Sequence, residues 1–233
     1  MCIRDRGRAP IALAMGAPVA PPPQFVYDKL AEALKIPQIH TYSSPKGENF
    51  YLEAIAKKMK NRFNVELDPQ TEIFSLIGSK EGIANFIRAL INPTNIEQDK
   101  DIILVPDPGY ASYSQMIKTN GGISYPISLN KENNYMPDMN KIWENLIKDG
   151  LNPSKVKAMM INYPSNPLGA TCTKDYLKHV VDFCKEKQIW LMSDAAYCDI
   201  YFEEQAKPHS IFEIEGAKDV AAVSYTHLTL PTT

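Results

Sequence analysis

Apolar positions along the chain fall into two kinds of run. Gln24 to Leu34, behind three consecutive prolines, and Glu48 to Met59, behind the turn Ser43-Ser44-Pro45-Lys46-Gly47, carry apolar residues at helical spacing. They predict two early helices. After them, short and nearly unbroken apolar runs alternate with helical stretches. Strands are expected at Ile73 to Ile77, Ile102 to Val105, Gly122 to Ile127, Ala158 to Asn162 and Ile189 to Ser193, with another beginning near Asp219. The intervening helices are expected at Glu81 to Leu90, Ser112 to Thr119, Met139 to Ile147 and Lys174 to Lys187. Repeated β-α units whose strands are apolar on both sides predict an α/β fold. The expected arrangement is three layers, α/β/α, with a mostly parallel sheet buried under helices on both faces. In such sheets ligands sit beyond the carboxyl ends of the strands, so polar residues directly after the apolar runs are the candidates for chemistry.

Four places qualify, and each reads two ways. At Gly78-Ser79-Lys80-Glu81-Gly82, a glycine after a strand lets the backbone turn and aims the first amides of the next helix outward, which suits a phosphate. Alone, it reads as an ordinary helix start with a serine cap. Pro106-Asp107-Pro108-Gly109-Tyr110 presents an aromatic at the exit of a stiff loop, where a flat ligand can stack or the tyrosine can simply pack. In Asn162-Tyr163-Pro164-Ser165-Asn166-Pro167-Leu168-Gly169, a rigid turn holds the Asn166 amide over the sheet edge, ready to donate to an anionic oxygen, though Asn-Pro turns are common. In Leu191-Met192-Ser193-Asp194-Ala195-Ala196-Tyr197, a carboxylate follows an apolar strand and needs either a cationic partner or a helix to cap.

Bulk properties narrow the partners. The chain has 233 residues, 44% hydrophobic and 22% charged, enough for one sizeable core. A net charge of −2 with lysines scattered among acidic residues offers no basic field, so nucleic acid is not an expected partner. Cys172, Cys184 and Cys198 show no metal-ligand spacing and read as reduced thiols of a cytoplasmic protein, with neither disulfide nor metal. Ile11 to Ala20 is too short to span a membrane.

Taken together, in this order and at these intervals, the four motifs resemble the class I/II (fold-type I) aminotransferases, which depend on pyridoxal 5′-phosphate. The resemblance runs over nearly all of residues 7–222. It implies that Ser79 and Lys80 hold the cofactor phosphate, that Tyr110 stacks on the pyridine ring, and that Asn166 and Tyr197 hydrogen-bond its phenolic oxygen. It also implies that Asp194 pairs with the protonated ring nitrogen, keeping the ring charged so that it can draw electrons from the substrate α-carbon. Tyr42 occupies the place of a tyrosine that reaches the phosphate of the neighbouring subunit, which implies a homodimer. Gly16 stands where the family has a glycine near the substrate carboxylate, although Val19 replaces the usual acidic residue beside it. Ile77 to Gly82, Ser165 to Pro167 and Asp194 to Ile200 are most similar to the branch of glutamate-pyruvate and LL-diaminopimelate aminotransferases. Amino acids and 2-oxo acids are then the expected substrates. A fold-related lyase, or an effector-binding regulator built on the same domain, would share these motifs. Such regulators carry a basic helix-turn-helix in front, and the residues before Gln24 show none.

The two ends read differently. Met1 to Asp5 can be encoded by a DNA string whose reverse complement translates as Val-Ser-Tyr-Thr-His, identical to Val223 to His227. On that ground residues 1–6 and 223–233 are expected to be adaptor-like and non-native, with 7–23 an arm of the small domain and 24–222 an incomplete cofactor-binding large domain. Family members carry the Schiff-base lysine shortly after the strand that begins near Asp219. It is not found in this chain, and Lys80, at the phosphate end, is no substitute. The chain by itself is therefore expected to be inactive.

Overall fold

The structure is a computed structural model and describes residues 21–202, 204 and 206–225. These fall into two compact units, one reaching Tyr42 and the other beginning at Ser43. The first holds α1 (Gln24–Ala33) and a 3-10 turn at Pro37–His40. The second opens with α2 (Asn49–Phe63), which ends on Asn64 in the left-handed conformation, and continues through α3 (Ser79–Leu90). Strand and helix then alternate as β1 (Ile102–Asp107), α4 (Ser112–Thr119), β2 (Ile123–Ser128), α5 (Met139–Lys148), β3 (Val156–Asn162), α6 (Lys174–Lys187), β4 (Trp190–Asp194) and β5 (Ala221–Ser224). No helix among the described residues is long and apolar enough to cross a membrane.

The strands form one sheet in the order β2-β1-β3-β4-β5, and every pairing is parallel. Alternate residues of each apolar run serve opposite layers, because successive strand side chains point to opposite faces. Ile102, Leu104, Met159, Ile161 and Leu191 pack with α5 and α6. Ile103, Val105, Ala158, Met160 and Met192 pack with Ile83 and Ile87 of α3 and Tyr113 and Ile117 of α4. The three-layer α/β/α arrangement and the parallel sheet are thus both present. Side chains also place helix starts: Asp138 accepts from the Asn140 amide before α5, and Thr173 from the Tyr176 amide before α6.

One expected strand is absent. Residues Ile73 to Ile77 have no sheet pairing, and the Ser75 amide donates only to the Lys46 carbonyl, at 2.7 Å. An apolar run makes a strand only where a ladder partner lies beside it. Here the run instead shares an apolar cleft of about 520 Å³ with β5, lined by Phe74, Leu76, Ile77, Ala222 and Val223, and Ile77 is 98% exposed. β5 itself pairs Ser193 with Val223 and Asp194 with Ser224, so the tail expected to start at Val223 begins within a strand.

Candidate active site

Parallel strands bring their carboxyl ends to one edge, and the candidate residues gather there. The last residue of β4 is Asp194, in register with Asn162 of β3 and Ser224 of β5. Its side chain lies on the same face as Met192, the side covered by α4, and it is only 6% exposed. From α4 the Tyr113 hydroxyl donates to Asp194 Oδ2 at 2.5 Å. The second oxygen, Oδ1, is buried with no hydrogen-bond partner among the described residues. Burial pushes the Asp194 pKa up, and the Tyr113 hydroxyl and the Ala196 amide pull against it. A buried acceptor left open next to one that is filled is a costly arrangement for a purely structural carboxylate.

Asn162 binds the ends of β3 and β4 together. Its amide donates to the Asp194 carbonyl at 2.9 Å, and its Oδ1 accepts the Asn166 N–H at 2.7 Å. The turn beyond is closed by bonds from the Ser165 amide to the Ala170 carbonyl and from the Gly169 amide to the Ser165 carbonyl. It holds the Asn166 amide 3.4 Å from the Tyr197 hydroxyl. Tyr197 rides on the turn after β4, which α2 clamps from below. There Lys58 pairs with Asp199 at 2.6 Å, while Arg62 reaches Asp199 and donates to the carbonyls of Cys198 and Pro208.

The phosphate-type end is the start of α3. Gly78 is the N-cap, and no atom stands within 4 Å of where its side chain would be, so the space before the helix is open. The first helical donor is Glu81, whose amide reaches the Gly78 carbonyl. The Ser79 and Lys80 amides therefore precede the ladder, as anion-binding amides must. The Glu81 carboxylate is committed to the Ile77 amide at 2.8 Å. Ser224 Oγ donates to the Ser79 carbonyl at 3.4 Å, which places this helix start beside the strand that flanks Asp194.

Tyr110 lies between these two ends. Its ring meets Tyr113 edge to face at 5.4 Å, and Lys80 Nζ stands 5.5 Å from its centre. Lys80 and Ser112 hold the Tyr110 phenol below its ordinary pKa. Gly109 makes this placement possible, because a Cβ there would come 2.3 Å from the Pro106 carbonyl oxygen, a backbone atom that cannot swing aside. Gly109→Ala should therefore displace the Tyr110 loop and destabilise the protein by about 1–3 kcal/mol, the usual penalty of overpacking. Urea unfolding measures the loss. Unchanged stability would show that the loop relaxes freely.

Six of the expected site residues, Ser79, Lys80, Tyr110, Asn166, Asp194 and Tyr197, thus stand at one edge of one sheet, joined by a continuous series of contacts. Tyr42 is fully exposed and belongs to the first compact unit, and Gly16 lies outside the described residues. Tyr113 and Asn162 belong to the site but were not among the expected residues. Tyr113 follows Tyr110 by three positions, so it reads as an apolar helix face, and nothing local ties it to an aspartate 81 residues away. Asn162 is the polar end of an apolar strand, a signal that was visible but overshadowed by Asn166.

The profile described as aminotransferase class I and II matches residues 8–227. The LL-diaminopimelate aminotransferase of Aquifex aeolicus is 42% identical over 217 residues, which is 93% of this chain and 53% of that protein. That of Desulforudis audaxviator is 40% identical over 210 residues, 90% of this chain and 50% of that protein. Among solved structures, apo-BacF from Bacillus subtilis superposes with a TM-score of 0.83 at 36% identity, covering 92% of this chain and 54% of that one. The chain spans about half the length of the curated relatives it matches. The matched span, the fold and the strand-end motifs agree, and the chain belongs to the class I and II aminotransferase family.

Proposed function

We propose that this chain supplies the cofactor-holding part of a pyridoxal-phosphate-dependent aminotransferase that moves an amino group between an α-amino acid and a 2-oxo acid. The observation that carries the reading is the open, buried oxygen of Asp194 at the same sheet edge as the free amides of α3. A ligand suited to both has a cationic N–H at one end and a phosphate at the other, with a flat body against Tyr110. The residues present fit pyridoxal phosphate on each count. When bound, that group supplies an aromatic electron sink for bonds broken at the substrate α-carbon.

The chain's own residues have distinct tasks. The Ser79 and Lys80 amides and the Ser79 hydroxyl hold the phosphate. Tyr110 fixes the plane of the ring. Asn166 and Tyr197 donate to the phenolic oxygen and favour its anionic form. Asp194 Oδ1 accepts the ring N–H, and the negative charge of the carboxylate favours the protonated nitrogen. Tyr42, exposed and on a separate unit, is proposed to act on the phosphate site of a second subunit in a homodimer. The reduced cysteines, two of them buried, suit a cytoplasmic enzyme.

The finer reading is LL-diaminopimelate as the amino acid, and the names of the Aquifex and Desulforudis relatives support it. The complete protein, loaded with pyridoxal phosphate and given LL-diaminopimelate with 2-oxoglutarate, should form glutamate in step with loss of the donor. Glutamate formation from alanine, with none from LL-diaminopimelate, would move the assignment to the glutamate-pyruvate type. No amino transfer from any donor would overturn the aminotransferase reading.

A further inference from the structure

Asp194 uses its two oxygens unequally, and the residue responsible is Tyr113. The Tyr113 side chain is 1% exposed, and its ring packs with Ile83, Ile87 and Ile117 in the core under α3 and α4. Its hydroxyl reaches Asp194 Oδ2 at 2.5 Å, while Oδ1 remains open. The ring is wedged edge to face against Tyr110, so the donor cannot turn away without disturbing its neighbour. We infer that Tyr113 is a positioning residue that pins one oxygen of Asp194, leaves the other as the single acceptor for a ring N–H, and keeps the ring nitrogen the stronger base of the two.

The physical reason lies in the competition between two bases for one proton. Burial makes an isolated carboxylate a stronger base, which would draw the proton from the ring nitrogen onto Asp194 and leave the ring neutral. A hydrogen bond donated to the ionised carboxylate works in the opposite direction. Tyr113 can give it because its own hydroxyl is held far from ionisation. Burial is the main cause, with Asp194, Tyr110 and Tyr197 adding to it, so it remains a donor at every ordinary pH. Two further groups bear on the pair: the Ala196 amide, which favours ionised Asp194, and Lys80, which acts on Tyr110.

This inference rests on the proposed cofactor reading, and the test separates the two. In the cofactor-free protein, the Asp194 carboxyl titration followed by carbon-13 NMR should move to higher pH in Tyr113→Phe, which keeps the ring and deletes the donor. It should move to lower pH when 3-fluorotyrosine, a more acidic donor of nearly the same shape, replaces Tyr113. In the complete protein loaded with nitrogen-15-labelled pyridoxal phosphate, the ring-nitrogen shift should move toward the free base in Tyr113→Phe. The turnover number should fall about tenfold to a hundredfold, the factor a charge-assisted hydrogen bond carries. Tyr113→Phe in an Asp194→Asn background should add nothing, because both act through one carboxylate. Carboxyl titrations unmoved by either substitution overturn the role of Tyr113 while leaving the cofactor assignment intact. A ring nitrogen already unprotonated in the unaltered protein overturns the inference as well, while failure of the complete protein to bind the labelled cofactor overturns the cofactor assignment instead.

Discussion

Asp194→Asn in the complete protein should lower kcat by at least about a hundredfold to a thousandfold, the loss expected when one preorganised charge is removed from a water-poor site. Asparagine keeps the shape and can still accept from Tyr113, but it cannot hold a proton on a basic nitrogen. Cofactor affinity should fall with kcat, because the same charge serves both. A second signature appears without any cofactor. The pKa of Asp194 is raised by burial, so the folded protein binds its proton more tightly than the unfolded chain does. The resulting stability is fully present below the ordinary carboxylate value, about 3.9, and is lost as pH rises through the raised folded value. The unmodified cofactor-free protein should therefore lose stability over that window relative to Asp194→Asn, which has no proton to lose there. Urea midpoints at a series of pH values measure the difference. Parallel pH profiles would show that the carboxylate is not penalised by burial, and kcat unchanged in the variant would remove Asp194 from the mechanism.

The same aspartate illustrates what could be read from the residues and what could not. Its position after an apolar strand was legible, as were the positions of Tyr110, Asn166 and Tyr197, because strand ends and turn residues are local signals; Ser79 and Lys80 were legible only as a helix start after Gly78, since the strand expected before them is absent. Helices α4 and α6 begin and end where their spacing put them. The partner of Asp194 was not legible, since Tyr113 sits on a helix whose orientation over the sheet is decided by packing. Residues Ile73 to Ile77 failed for a related reason: an apolar run states a need for cover, while strand character depends on a neighbour elsewhere in the chain. The start of α3 came two residues before the expected Glu81, because Gly78 caps by backbone alone and leaves no side-chain signature. The division of each strand between two layers was also hidden. In Ile102 to Val105 both faces are buried, so polarity does not alternate and only the helices reveal which residue faces which side.

That division makes a sharp prediction for Leu104→Ala. Leu104 lies in β1, with β2 on one side and β3 on the other, opposite Tyr125 and Met159, and no part of it is exposed. Its side chain belongs to the layer of α5 and α6, away from the one that holds Tyr113 and Met192. A sheet strand fixed on both edges cannot shift to fill the lost volume, so the substitution should cost about 3–5 kcal/mol, the upper part of the range for truncated buried leucines. The loss should appear as a lower urea midpoint with an unchanged slope. Because the cavity opens on the far side of the sheet from Asp194, cofactor affinity of the folded fraction should stay within about twofold, the tolerance of sites that do not share contacts. A large fall in affinity at full foldedness would mean that the two layers are mechanically coupled through β1. Stability close to that of the unmodified protein would mean that the α5 and α6 layer closes over the gap.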